Sequence, residues 1–339
     1  MRKYSIYLTS LILIFSLSIS SCKKDDKKDD DNNYMIGSLE FKLPSYILIS
    51  QELDLAAYGI LEPETGITYT WQMTGFSIDS TSGQSITVTA PSKTGDYIVY
   101  LTAKHNDFTS KSTFREVTVL DPSNQENFSG IINGADSIID NRDGNKYYYK
   151  KIGNLHWFTS NLRWDGAGKP YDSINALNHI FGNLYSWNEA TGGVTANGLA
   201  NGPQGACPEG WSIPTKEDWE DFGTALAETP ISFDNVWQGL GDKVAANATL
   251  NQKNIWKYSN NNLKSNTSGW NALPGGNSSN YFKSFANLNL FGFWWSASER
   301  DSNNGEYRFI HFDNENFPYN YASKSFFAAS VRCVRKANS

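Results

Sequence analysis

Residues 207–219 read CPEGWSIPTKEDW, and they decide how the second half of the chain folds. Thr215 with Asp218 three positions on makes a capping box, in which each side chain accepts a backbone N–H that the first helical turn leaves unpartnered. Glu217 and Asp218 favour the positive end of the helix dipole, and Trp219, Phe222 and Leu226 recur at helical spacing. The stretch predicts a helix from Lys216 whose apolar face enters a core, with Cys207 a short way before it. Three chemistries are open to Cys207: nucleophile, metal ligand, or half of a disulfide.

The rest of the chain chooses among them. It has 339 residues and three cysteines, Cys22, Cys207 and Cys333. At the N-terminus Arg2 and Lys3 precede the apolar run IYLTSLILIFSLSI, a secretory signal layout over residues 1–21. Ile19-Ser20-Ser21-Cys22 resembles a bacterial lipobox, which implies that Cys22 carries acyl chains and is the lipidation site. Several buried acyl chains anchor stably, since each CH₂ adds roughly 0.8 kcal/mol where one chain alone holds marginally. The membrane is thus an expected partner. Residues 22–35, which include KKDDKKDDDNN at 23–33, hold too few apolar side chains to order themselves and read as a charged tether. An acidic cluster behind a lipidated cysteine resembles the surface-export signal of lipoproteins from Bacteroidota-type bacteria. It implies an outer-membrane address facing the cell exterior; the alternative is a plain spacer on the periplasmic side.

An oxidising compartment favours pairing of the two remaining cysteines. A Cys207–Cys333 bridge closes a loop of 126 residues, which the chain-entropy argument values at about 4–5 kcal/mol. The other two chemistries lack partners. His105, His156, His179 and His311 stand in no recognisable arrangement with Cys207, and no CxxC, HExxH or HxxxH spacing exists for zinc. There is also no GxSxG elbow, no GxxxxGK[ST] loop and no GxGxxG fingerprint. Glu217 and Asp218 are adjacent on a helix and point apart, so they do not make a facing acid and base. The reading is a non-catalytic protein with no metal and no cofactor. The net charge of −6, more negative once Arg2 and Lys3 leave with the leader, offers phosphates no basic surface and argues against nucleic acid.

Two domains are expected from length and pattern. Over residues 36–121 the runs LEFKL, YILIS, LDLAAYGI, ITYTWQM, SITVTA, YIVYLTA and FREVTVL alternate with period two between turn residues, which predicts an all-β sandwich. Tyr97, Val99, Leu101 and Ala103 fall on one strand face, and Trp71 lies on an earlier strand. This segment resembles PKD and Ig-like modules, with Trp71 as core tryptophan and Tyr97 in the late-strand tyrosine position, although it lacks the WDFGDG signature of true PKD domains. DPSNQEN at 121–127 then leads into a region of different composition, since ten of the 11 tryptophans lie between Trp157 and Trp295. In it Asp143-Gly144 reads as a hairpin turn. A calcium loop is ruled out there, because aligning Gly144 with the loop glycine puts Ile139 and Lys150 where carboxylates are required.

Seven pieces of this second region occur in an order that identifies a family. They are DNRDGNKY, IGNLHWF with SNLRW, GNLYSWNEA, CPEGWSIPTKEDW, SGWNALPGG, FWWSASE and SVRCV. From about Asp140 to Arg335 the chain resembles the Fibrobacter succinogenes major paralogous domain, which assigns residues 128–339 to that domain. The resemblance implies an α+β C-type-lectin-like fold in which a long-range disulfide joins the segment before a helix to the last strand. Phe158 and Trp270 replace the family's usual Met and Phe. The EPN, QPD and WND motifs of calcium-dependent sugar-binding lectins are absent.

Surplus Trp and Tyr beside Asn- and Gly-rich loops such as SNNNLKSNTSGW and LPGGNSSNYF suit stacking on sugar rings. Trp157, Trp187, Trp211, Trp219 and Trp294 belong to the motif pieces and read as core. Trp256, Tyr258, Trp270, Tyr281 and Tyr307 read as the surface candidates for ligand contact. The expected partner is a glycan or an envelope protein, with a structural role in a surface assembly as the alternative and an uncharacterised enzyme as the second.

Overall fold

A computed structural model describes residues 33–121, 128–227, 237–257 and 264–337. The leader, Cys22, the charged tract up to Asn32, and Tyr258 lie outside these residues. Tyr34 and Met35, expected at the end of the tether, belong to the fold: Tyr34 bridges to Thr109 and Met35 is buried. An apolar Met next to a strand gains more from the core than from solvent.

The N-terminal region is all β. Its strands are β1 (Ile36–Glu40), β2 (Tyr46–Leu48), β3 (Glu52–Ala56), β4 (Tyr58–Glu62) and β5 (Thr68–Gln72), then β6 (Ser80–Ser82), β7 (Ser85–Thr89), β8 (Gly95–His105) and β9 (Phe108–Leu120). A five-stranded sheet, β2-β9-β8-β5-β6, and the pairs β1-β4 and β3-β7 share one core. The alternation does the sorting: Leu53 and Leu55, Tyr69 and Trp71, and Val99, Leu101 and Ala103 are all buried while their neighbours along each strand are less so. Trp71 donates its indole N–H to the Gly83 carbonyl at 2.8 Å and meets the Phe41 ring edge-on. The run LDLAAYGI is two strands, because Ala57 donates its N–H to Gln84 and β4 leaves the β7 edge to pair with β1.

The C-terminal region is a set of short strands and four short helices among the described residues. Its first strands are β10 (Phe128–Ser129), β11 (Asp136–Ile139), β12 (Lys146–Ile152), β13 (Leu155–Phe158) and β14 (Tyr185–Ser186). Helices α1 (Asn175–Phe181), α2 (Trp187–Thr191), α3 (Lys216–Leu226) and α4 (Leu240–Val244) follow or interleave. The remaining strands are β15 (Thr249–Leu250), β16 (Lys253–Asn254), β17 (Gly275–Ser279), β18 (Ser284–Leu288), β19 (Phe291–Asp301), β20 (Asn304–His311), β21 (Tyr319–Ser323), β22 (Phe327–Ala329) and β23 (Val334–Lys336). They form sheets β11-β12-β13-β23, β14-β22-β17-β18, β19-β20-β21 and β10-β15-β16.

Local signals in the sequence set these elements. Gly144 takes φ +77° and donates to the Asp140 carbonyl in the turn between β11 and β12. Helix α3 starts at Lys216 with both bonds of the Thr215–Asp218 capping box made. Ser186 and Glu189 make a second capping box at α2, which ends on left-handed Gly192. Trp219 and Phe222 of α3 pack against Trp157 at ring separations of 4.6 and 4.8 Å. Cys207 and Cys333 are bonded, with Cα atoms 5.8 Å apart, inside a second core that also holds Trp187, Trp211 and Trp295. Ser212 and Val334 exchange backbone hydrogen bonds, so the CPEGWSIPTKEDW stretch lies against the terminal strand.

The two regions meet. Tyr46 and Leu120 of the N-terminal region are buried in the same apolar cluster as Trp157 and Trp219. The Asn289 amide donates to the Tyr46 hydroxyl at 2.8 Å, and Lys253 pairs with Asp96 at 2.8 Å.

Candidate functional site

The motif residues come first, because they are the obvious place to look for chemistry. Arg332, from SVRCV, is fully buried. Its guanidinium donates to Asn161 Oδ1 (2.7 Å) and to the carbonyls of Phe158 (3.1 Å), Trp270 (2.6 Å) and Asn271 (2.6 Å), and it lies over the Trp270 ring at 4.3 Å. No carboxylate is among these partners. Asn161, from SNLRW, also accepts from the Trp294 indole and donates to Phe181 O and Ser330 Oγ. Asn271, from SGWNALPGG, donates to Ile132 O and Thr159 O and accepts from Ile132 N–H and Asn266. Most of the carbonyls these side chains satisfy belong to loops or strand ends, which would otherwise bury unpaired acceptors. The motif pieces therefore build the scaffold, and the surface is left for function.

No group of three His, Cys, Asp or Glu side chains converges to hold a metal ion among the described residues. The loop carboxylate Asp301 is used locally: backbone N–H groups of Asn303 and Asn304 and the Asn304 amide donate to it, which holds its carboxyl below the usual range. Asp313 is paired with His311. His156 and His179 are both pushed below the ordinary imidazole value, chiefly by burial and then by Arg335 and Arg163 respectively. His156 packs against the Tyr149 ring and accepts from Arg335.

Of the five surface candidates, Trp256 and Trp270 are corrected. Trp256 is 2% exposed and Trp270 is 0% exposed, both inside the larger core. Trp270 is ringed by Trp219, Phe222 and Trp294 at 5.0 to 5.7 Å. A loop-rich sequence around an indole does not expose it when the loop itself covers the core. Tyr258 lies outside the described residues.

Tyr307 belongs to an aromatic ladder of the C-terminal region, and Tyr281 to an exposed aromatic pair. Cross-strand register places Phe291 opposite His311, Phe293 opposite Phe309 and Trp295 opposite Tyr307 on β19 and β20. Period two puts all six on one face of that sheet. Trp295 and Phe293 are buried, while Phe291, Tyr307, Phe309 and His311 are half-buried, so the second core runs out towards solvent as a ladder of rings. Tyr307 stacks on Phe327 at 5.4 Å and meets Phe293 edge-on at 5.6 Å. Burial raises its phenol above the ordinary value.

Phe326, the residue before Phe327, takes part in a second aromatic contact, at the surface. Phe326 is 47% exposed and meets Tyr281, 62% exposed, edge-on at 5.8 Å. Tyr281 stands in the turn between β17 and β18, where Asn280, Tyr281 and Phe282 have φ of 51°, 56° and 61°. Left-handed backbone is costly for bulky side chains, roughly 1–2 kcal/mol per residue, and such conformations concentrate at ligand-contacting sites. Asn280 tolerates it; Tyr281 and Phe282 do not tolerate it readily. Phe326, Phe327 and Phe309 were missed by the sequence reading. Period-two alternation of Phe291, Phe293, Tyr307 and Phe309 was the signal that could have found the ladder.

The scaffold and its motif residues agree with a comparison across protein families. The family described as the Fibrobacter succinogenes major domain matches residues 151–335, more than half of the chain, and the chain belongs to that family. No curated protein matches it.

Proposed function

We propose that this protein is a surface-anchored lipoprotein whose C-terminal region is a non-catalytic recognition module for a glycan or an envelope protein. The observation that carries the reading is Tyr281, held out at 62% exposure by three successive left-handed residues and braced edge-on by Phe326. An exposed, braced aromatic pair is an apolar platform that can stack on a sugar ring or fill a partner's pocket. In this reading Cys22 carries the lipid, the charged tract is the tether, and the molecule faces outward from the outer membrane. No helix among the described residues is long and apolar enough to cross a membrane.

The finer fold assignments belong to the same proposal. An Ig- or PKD-like N-terminal module is supported by Trp71 in the core and by Tyr97, whose hydroxyl donates to the Lys93 carbonyl four residues upstream. A C-type-lectin-like C-terminal fold is supported by the Cys207–Cys333 bond and by β23 closing back onto β13. The test uses the chain from Asn33 onward against a glycan array and a fractionated envelope extract. Wild type is expected to retain a defined ligand and Tyr281→Ala to lose it, with stability unchanged within about 0.5 kcal/mol. Equal retention by both proteins would overturn the reading.

A further inference from the structure

A cleft of about 500 Å³ lies where the two regions meet, lined by residues of both. Domain junctions are common places for small-molecule sites, and this volume falls within the usual range of roughly 300–1,000 Å³. The N-terminal region contributes Tyr46, Asp96, Ile98, Glu116 and Thr118, and the C-terminal region contributes Tyr171, Asp172, Lys253, Asn287, Leu288 and Asn289.

Three of the lining residues, Asp172, Asn287 and Asn289, have left-handed φ of 51°, 65° and 65°. Asn289 donates its amide to the Tyr46 hydroxyl, and its Oδ1 is a buried acceptor with no partner among the described residues. The lining decides what kind of ligand the cleft suits. Three carboxylates, Asp96, Glu116 and Asp172, face two ammonium groups, Lys253 and Lys257, and Asp96 is already tied to Lys253 and to the Thr118 hydroxyl. An anion would meet excess negative charge. A divalent cation would need three converging ligands, and no such group exists among the described residues. What matches carboxylates, amides and phenols around a few apolar side chains is a neutral molecule rich in hydroxyls: the carboxylates accept, the amides donate, and Ile98 and Leu288 meet the C–H faces.

We propose that the cleft between the two regions binds a short neutral oligosaccharide. The site is separate from the aromatic tip and stands whether or not that tip binds a glycan. The probes are cellotriose, xylotriose and maltotriose, titrated calorimetrically into the chain from Asn33 onward, with the side-chain amide signals of Asn287 and Asn289 followed in parallel. At least one trisaccharide is expected to bind with a Kd of about 1 mM or tighter, shifting both amides. Asp172→Ala combined with Glu116→Ala, two exposed side chains outside the cores, is expected to weaken that binding about tenfold, while Glu52→Ala, an exposed side chain of β3 that does not line the cleft, leaves it unchanged. The proposal fails if none of the three binds, if the double variant binds as tightly as wild type, or if a trigalacturonate binds more tightly than the neutral sugars.

Discussion

The N-terminal and C-terminal regions solve the same problem with different materials. In the N-terminal region no Asp, Glu, Lys, Arg, Asn, Ser or Thr side chain is buried among the described residues; its core is apolar and its backbone is satisfied by long strand pairings. In the C-terminal region Asn161, Asn271, Asp218, Glu306, Arg308 and Arg332 are all buried. The reason is how much of the chain lies in loops. In the C-terminal region long loops join the strands and helices, and loops that cover a core must have their carbonyls answered by side chains. The C-terminal region has replaced part of its ladder with amides and a guanidinium.

The largest effect expected from this difference is loss of the crosslink. Cys207→Ser with Cys333→Ser should lower the stability of the C-terminal region by about 4–5 kcal/mol, read by urea denaturation under non-reducing conditions. A loss below about 1 kcal/mol would mean that short elements and polar contacts suffice without it. Next comes Arg332→Met, which keeps much of the volume and removes every donor. Leaving the carbonyls of Phe158, Trp270 and Asn271 without the guanidinium, while Asn161 Oδ1 keeps only the Trp294 indole, should cost about 4 kcal/mol. If the same measurement returns a neutral change, the guanidinium is replaceable by packing and the comparison loses its main support.

The matching test in the other region is Leu101→Ala, which hollows a wholly apolar core and should cost about 3 kcal/mol. It should leave the C-terminal tryptophans of the larger cluster native by fluorescence, except through the Tyr46 contact. The smallest effect is electrostatic. Burial raises the Asp218 carboxyl to about 6, against the opposing hydrogen bonds from Ala200 and Thr215. A raised folded value means that the native state holds its proton more tightly than the unfolded chain between about pH 4 and 6. Stability from this group is therefore present at low pH and lost as pH rises through 6, by on the order of 2 kcal/mol. The difference in unfolding free energy between wild type and Asp218→Asn, followed from pH 4 to 6.5, should carry that slope; a flat difference would show that the carboxylate is solvated.

These particulars also explain what the sequence disclosed. Val99-Tyr100-Leu101 and its neighbours announce a half-buried strand because period two depends only on adjacent residues. Thr215 and Asp218 announce a helix start for the same reason. The Cys207–Cys333 bond was readable because the count of thiols leaves little choice once Cys22 is set aside. The burial of Trp256 and Trp270 was not readable, since their cover comes from segments far away in sequence, such as Phe317 and Trp294 around Trp270. Nor was the Tyr281–Phe326 pair, which joins two turns 45 residues apart. Tyr281 and Tyr307 were found as residue types, without the exposed pair that holds the one or the ladder that holds the other.

The parallel pairing of β2 with β9 has a mechanical consequence. Tyr34 bridges in parallel to Thr109 at one end of β9, and Tyr46–Leu48 runs parallel to Thr118–Leu120 at the other, just before the chain enters the C-terminal region. Tension applied at Asn33 and resisted beyond Leu120 pulls these strands along their length in opposite directions. The hydrogen bonds of β2 are then loaded together in shear and must break at once, where an antiparallel hairpin pulled at its open end would unzip one rung at a time.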